Sequence, residues 1–120
     1  MAKLLIVDDE LDVREFAANF FRKRKIQVST AASGEEALEK IDQDAPQLVL
    51  LDIMMPGIDG IQTLEYIRQK HKELKVIMVT GKKPQEGQAF DKCRALGALD
   101  YIHKPLDLEE LESVVLKELK

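Results

Sequence analysis

The stretch LVLLDIMMPGIDG, residues 48–60, decides the fold of this chain. Four aliphatic residues lead directly into a single carboxylate, Asp52, and a turn-rich Pro-Gly-Ile-Asp-Gly tail follows. A nearly continuous aliphatic run is typical of a strand buried on both faces, as in a parallel sheet. An acid at the tip of such a strand is costly to bury without partners. The stretch therefore predicts a buried strand that ends at a polar site.

Similar short aliphatic runs recur along the chain, and helical patterns lie between them. The runs are LLIV at 4–7, IQVSTA at 26–31, VIMV at 76–79 and, more weakly, LDYI at 99–102. The helical patterns cover 11–24, 33–42, 59–70, 84–96 and 106–118. Strand then helix, five times over, predicts an α/β doubly wound sheet with five helices. We expect a single domain over residues 1–120, with no output domain.

The helical patterns also predict core and cap residues. In the first pattern, helical spacing predicts a core face formed by Val13, Phe16, Ala17, Phe20 and Phe21. Ser33 and Glu36 predict a capping box at the start of the second helix, and Asp107 with Glu110 predicts a similar start for the fifth. The pattern at 84–96 is the weakest, because a glycine lies inside it and its apolar face is thin.

The composition excludes several classes of function. There are 18 basic and 22 acidic residues, a formal net charge of -4, so nothing favours direct binding to nucleic acid or to an anionic membrane. The one cysteine, Cys93, permits neither an internal disulfide nor a cysteine-based zinc site. No apolar run approaches the ~18 residues of a membrane span. The N-terminus is not a signal peptide, so we expect a cytoplasmic protein.

Polar side chains follow four of the predicted strands, at the point where each strand ends. In chain order these are Asp8, Asp9, Glu10, Asp52, Thr80 and Lys104. Doubly wound sheets bind ligands beyond the carboxyl ends of their strands, so we expect the carboxylates of Asp8, Asp9 and Asp52 to converge with Thr80 and Lys104. Converging carboxylates repel one another unless a cation is present, and oxygen ligands favour Mg²⁺. With a cation, a hydroxyl and a carboxylate nucleophile, the set fits a site that receives a phosphoryl group.

The motifs together resemble the receiver domain of two-component response regulators. The resemblance rests on DDE at 8–10, DIMMPGIDG at 52–60, Thr-Gly at 80–81 and Lys-Pro at 104–105, in this order along essentially the whole chain. It implies a flavodoxin-like, five-stranded parallel sheet with strand order 2-1-3-4-5. It also implies a phosphorylation-activated switch rather than an enzyme with a separate substrate.

The resemblance assigns roles in phosphoryl transfer and metal binding. Asp52 would accept the phosphoryl group. Asp9 and Asp52 would ligate Mg²⁺ together with the backbone carbonyl of Met54, while Asp8 would act through a water. Met54 and Lys82 occupy the positions expected to tune the rate of phosphate loss.

The resemblance also implies a conformational switch. Thr80 and Lys104 would bind phosphoryl oxygens, the Lys104–Pro105 peptide bond would be cis, and the ring of Tyr101 would turn inward when Thr80 moves. The readout surface would be the fourth helix, fifth strand and fifth helix, where the weak fourth helix is easier to shift.

The resemblance further implies the partners. A sensor histidine kinase or histidine phosphotransfer protein would donate the phosphoryl group, and a downstream protein would read the result. We expect a monomer or a weak phosphorylation-dependent dimer. A stand-alone regulator or relay, and a receiver within a longer regulator, both remain open.

Other functions use the same residues less well. A constitutive pseudo-receiver would bind partners without phosphorylation, although all the expected site groups are present. A Mg²⁺-dependent phosphohydrolase with an aspartyl nucleophile often carries a second acid two residues on, where this chain has Met54. A dinucleotide-binding domain is disfavoured because no G-x-G-x-x-G motif follows the first strand.

Overall fold

The structure is a computed structural model that describes residues 3–81 and 86–119, with the side chains of 86–90 left out. The strands are β1 (Lys3–Val7), β2 (Gln27–Ala31), β3 (Leu48–Asp52), β4 (Lys75–Thr80) and β5 (Asp100–His103). The helices are α1 (Leu11–Arg22), α2 (Gly34–Gln43), α3 (Gly60–Lys70), α4 (Glu86–Ala95) and α5 (Leu108–Leu119). Strand and helix alternate throughout, which confirms the α/β prediction.

The strands form one parallel sheet in the order β2-β1-β3-β4-β5, as expected. Within β1, alternate residues face opposite layers: Leu5 and Val7 lie in one core cluster, and Leu4 and Ile6 in the other. The aliphatic run is continuous because both faces of the strand are buried. β3 and β4 follow the same rule. Their carboxyl ends reach the same edge of the sheet.

β2 departs from the expectation of a strand buried on both faces. Gln27 and Ser29 are exposed, and only Ala31 of this strand is fully buried. β2 lies at the edge of the sheet beside β1 alone, so its side chains alternate between core and solvent.

Helices cover both faces of the sheet. One face packs against buried residues of α2, α3 and α4, and the other against α1 and α5. The first group contains Ala37, Ile41, Leu64, Ile67 and Cys93, and the second Ala17, Ala18, Phe21, Leu111 and Val115. Among the described residues, no helix has the length and apolar character needed to cross a membrane.

The predicted core face of α1 is confirmed only in part, because Phe16 is exposed and Val13 is half-buried beside an open groove. Ala17 and Phe21 are buried and Phe20 packs at the margin of the core, but Phe16 is 50% exposed. An α-helix turns about 100° per residue, so Phe16 points well away from the neighbouring Ala17 that faces the sheet. The apolar stripe of α1 is wider than the sheet can cover.

The helix ends follow the cap predictions with small changes. The Ser33 hydroxyl accepts from the N–H of Glu36 at 3.1 Å, but the Glu36 carboxylate accepts from Ala32 instead of Ser33, so the predicted capping box is only half formed. The Asp107 carboxylate accepts from the N–H of Glu109 at 2.9 Å and so starts α5. α1 ends at Arg22, two residues before its predicted end. α4 lies within the predicted range, whose first two residues lie outside the described part of the chain.

Candidate functional site

Asp8 is fixed by the turn that follows β1. Its N–H donates to the carbonyl of Ala31 at 3.1 Å, which continues the β1–β2 pairing by one residue. Its Oδ1 accepts from the N–H of Glu10 at 2.9 Å, and its carbonyl accepts from Nη1 of Arg14 at 2.8 Å. The side chain is buried, and its Oδ2 lies 3.0 Å from Nζ of Lys104.

Asp52 ends β3 and is held by the backbone around it. The N–H of Ile53 donates to the carbonyl of Val79 at 2.9 Å, and the N–H of Gly60 donates to the carbonyl of Ile53 at 2.9 Å. A Cβ on Gly60 would lie 2.2 Å from the carbonyl oxygen of Asp52, so only glycine fits where α3 meets this strand end. Oδ1 of Asp52 accepts from the N–H of Met54 at 3.1 Å.

Lys104 joins the acids from different strand ends. Its Nζ lies 3.0 Å from Oδ2 of Asp8 and 3.1 Å from Oδ2 of Asp52. Nζ also lies 3.1 Å from Oε1 of Glu10. One ammonium therefore contacts three carboxylates, which come from the turn after β1 and from the end of β3.

Thr80 and Tyr101 lie on the two strands beyond β3. Thr80 is buried at the end of β4, opposite His103 of β5, and its carbonyl accepts from the N–H of Lys104 at 2.8 Å. The Lys104–Pro105 peptide bond is cis. Tyr101 is partly buried at the margin of the core under α2, α3 and α4, and burial raises the pKa of its hydroxyl.

The charges of the site do not balance. Burial, followed by the negative charge of Asp8, raises the pKa of Asp52 to about 6, although Lys104 and the N–H of Met54 oppose the rise. Burial disfavours the charge on Lys104, but its hydrogen bonds to Asp8, Glu10 and Asp52 outweigh burial and raise its pKa. One lysine is therefore too little positive charge for the acids around it.

The donor set fits a hard divalent cation. Asp8, Asp9 and Glu10 each offer a carboxylate oxygen, and these oxygens lie within 4.8 Å of one another. Asp9 and Glu10 are exposed, so water can complete a coordination shell. Mg²⁺ takes oxygen ligands and keeps several waters, and it would offset the negative charge of Asp8 that, after burial, raises the pKa of Asp52. The residues present therefore fit Mg²⁺.

The structure brings together most of the residues selected from sequence. Lys104 contacts both Asp8 and Asp52, Asp9 lies beside Asp8, and Thr80 ends the strand next to Asp52. The individual roles assigned to them, and that of the exposed Met54, stay predictions.

Lys82 lies outside the described residues. Glu10 contacts Lys104, a contact that sequence reasoning missed; the only signal was an acid directly after Asp8 and Asp9.

Known proteins resemble this chain over nearly its whole length. A family model described as the response regulator receiver domain matches residues 4–116. Sporulation initiation phosphotransferase F of Bacillus subtilis is 36% identical over 98% of this chain and 93% of its own length. The alkaline phosphatase synthesis transcriptional regulatory protein PhoP of the same species is 36% identical over 94% of this chain, which spans only 46% of that protein.

Solved structures give the same picture. The receiver domain of NtrX from Brucella abortus superposes with a TM-score of 0.88 at 36% identity, over 97% of both chains. The response regulator protein TrrA from Thermotoga maritima, solved in complex with Mg(2+)-BeF, superposes with a TM-score of 0.87 at 35% identity, over 99% of this chain and 100% of that one.

Proposed function

The chain belongs to the family of response regulator receiver domains, and on that premise we propose that it is a phosphorylation-activated signalling switch with Asp52 as phosphoacceptor. One observation carries the proposal: Lys104 Nζ lies 3.1 Å from the buried Asp52 carboxylate and 3.0 Å from Asp8. Simple strand or helix caps would not require this convergence of groups from separate strand ends. A carboxylate nucleophile, a fixed cation and metal-binding oxygens are the parts of a phosphoryl-transfer site.

The proposed reaction moves a phosphoryl group from a partner's phosphohistidine to Asp52. A carboxylate oxygen of Asp52 forms a bond to phosphorus while the bond between phosphorus and the donor's imidazole nitrogen breaks. The bonding electrons stay on that nitrogen, which takes up a proton from solvent. Lys104 then binds one phosphoryl oxygen, and the Thr80 hydroxyl donates to another. The chain itself needs no substrate beyond the phosphoryl donor.

Four residues are proposed to hold Mg²⁺. Asp9 and Asp52 supply carboxylate oxygens, Met54 its backbone carbonyl, and Asp8 acts through a water. The carboxylate oxygens of Asp8 and Asp9 lie within 4.8 Å of one another, which supports their part in this site. When bound, the ion neutralises the converging acids and the charge on the phosphoryl oxygens.

The surface beside Asp52 supports a protein donor, which we propose to be a sensor histidine kinase or a histidine phosphotransfer protein. An open groove next to Lys104 has an apolar wall formed by Val13, Phe16 and Leu106. A small-molecule donor has no use for such a wall, whereas a protein donor can bury it. The exposed ring of Phe16 is then part of a contact surface instead of the core.

The downstream response is proposed to pass through α4, β5 and α5. Phosphorylation adds negative charge and acceptor oxygens that Thr80 and Lys104 can contact, so it selects one arrangement of their loops. Tyr101 of β5 would follow Thr80, and a protein target would bind the altered surface. The chain would act as a monomer or a weak phosphorylation-dependent dimer.

Intact mass spectrometry after treatment with acetyl phosphate tests the proposal. We expect one phosphoryl adduct in the wild type, dependent on Mg²⁺, and none in Asp52→Ala. Asp44→Ala is the matched control, because Asp44 is exposed and pairs with Lys3 away from the site. A wild type without an adduct would favour constitutive partner binding, and turnover of a phosphate ester would favour a phosphohydrolase.

A further inference from the structure

Glu10 contacts the site but has no part in the transfer chemistry above. Its Oε1 lies 3.1 Å from Lys104 Nζ. Its side chain is 61% exposed, compared with 5% for Asp8 and 2% for Asp52. Glu10 therefore reaches the ammonium from the solvent side, which is also the side from which a phosphoryl group must arrive.

Lys104 has no spare donor for a new acceptor. An ammonium group has three N–H donors. Three carboxylates, those of Asp8, Glu10 and Asp52, already lie 3.0 to 3.1 Å from its nitrogen. A phosphoryl oxygen on Asp52 can therefore contact Lys104 only by displacing one of them.

Glu10 is the carboxylate that can leave most easily. Asp8 is buried and its other oxygen is held by the N–H of Glu10 at 2.9 Å. Asp52 would carry the phosphoryl group, whose added negative charge repels the exposed Glu10 carboxylate beside it. An exposed ion pair contributes little to stability, because water solvates both groups once they separate.

We propose that Glu10 is a positioning residue that occupies Lys104 in the unphosphorylated site and is exchanged for a phosphoryl oxygen when Asp52 is modified. The inference rests on the proposed function, since it concerns the same site. It makes the side chain at position 10 a determinant of how tightly the site holds a phosphoryl group. If the side chain at position 10 carries no charge to pair with the Lys104 ammonium, a phosphoryl oxygen can bind Lys104 without first displacing a carboxylate.

The test measures the affinity of the protein for beryllofluoride, a phosphoryl mimic, at saturating Mg²⁺. Changes in amide NMR shifts during the titration report the binding. Glu10→Gln keeps the size of the side chain and removes its charge. We expect it to bind about two- to fivefold more tightly than the wild type, which corresponds to the strength of an exposed ion pair. Glu15→Gln is the matched control, because Glu15 is an exposed glutamate of α1. The affinity of this variant for beryllofluoride should stay within about twofold of that of the wild type.

Each other outcome overturns a defined claim. Unchanged or weaker binding by Glu10→Gln, or an equal gain in Glu15→Gln, removes the role of Glu10. Weaker Mg²⁺ binding by Glu10→Gln without beryllofluoride makes Glu10 a metal ligand and also removes that role. A wild type that binds no beryllofluoride and forms no phosphoryl adduct overturns the proposed function itself. The loss of a merely structural ion pair would not tighten binding of the mimic.

Discussion

At the scale of single residues, the Asp52 carboxyl group is ionised at neutral pH in surroundings that disfavour its charge. Burial and the charge of Asp8 raise its pKa to about 6, from an ordinary value of 3.8. The folded state therefore binds the proton of Asp52 more tightly than the unfolded state does. The contribution of this group to stability is largest below pH 3.8 and is lost as the pH rises through about 6.

Replacement of Asp52 by asparagine should therefore stabilise the fold at neutral pH. We expect Asp52→Asn to raise the free energy of unfolding by about 1–3 kcal/mol at pH 7 and by much less near pH 4. Urea denaturation with EDTA present measures the difference without a bound metal. Asp44→Asn, a change at an exposed ion pair, should alter stability by less than about 1 kcal/mol. A wild type as stable as Asp52→Asn at pH 7 would show that Lys104 fully compensates the burial.

At the scale of elements, Arg68 ties the end of α3 to two neighbouring segments. Its Nε donates to the carbonyl of Leu96 at 2.5 Å, and its Nη2 to that of Gly97 at 3.1 Å. Its Nη1 donates to the carbonyls of Leu74 at 2.7 Å and His71 at 3.2 Å. The planar guanidinium thus fixes the segment after α4 against the start of β4. We infer that the C-terminal end of α4 is anchored by this contact.

Arg68→Lys keeps the charge and removes the planar set of donors. We expect it to lower the free energy of unfolding by about 1–3 kcal/mol, because several carbonyls lose their donor. Amide hydrogen exchange at residues 96–99 should become faster. Arg94→Lys is the control, since Arg94 lies exposed on α4, and it should change stability by less than about 0.5 kcal/mol. Equal stabilities of the two variants would contradict the anchoring role.

The elements were largely predictable because each depends on local pattern. The aliphatic run at 48–51 became a strand one residue longer, Leu48–Asp52, and parallel strands bring their ends to one edge whatever the loops do. The exposure of Phe16 was not predictable, since it depends on how wide a stripe the sheet covers. The contacts of Glu10 and Arg68 were not predictable either, because they depend on side-chain reach and on main-chain acceptors from distant segments.

At the scale of the whole molecule, the proposed switch follows the order of the sheet. Asp52 ends β3, Thr80 ends the neighbouring β4, and Tyr101 lies in β5 at the edge. β4 and β5 are in register, with Thr80 opposite His103 and Met78 opposite Tyr101. A change at Asp52 can therefore reach the far edge of the sheet through one intervening strand.

The hydroxyl of Thr80 is the proposed link in this path, and its removal should separate modification of Asp52 from the response at the edge. We expect Thr80→Val to bind beryllofluoride with Mg²⁺ but to show less than about half of the wild-type amide shifts in β5 and α5. A ligand shifts a conformational equilibrium only through contacts that differ between the two states, and the variant lacks the hydroxyl that would make such a contact. Thr80→Ser keeps the hydroxyl and should retain most of the response, so it controls for the loss of packing at this buried position. Two-dimensional NMR spectra of the three proteins, with and without the mimic, give both readouts at once. Shifts in β5 and α5 that are as large in Thr80→Val as in the wild type would mean that the signal bypasses the Thr80 hydroxyl. The path would then run through Lys104, whose N–H donates to the carbonyl of Thr80 at 2.8 Å.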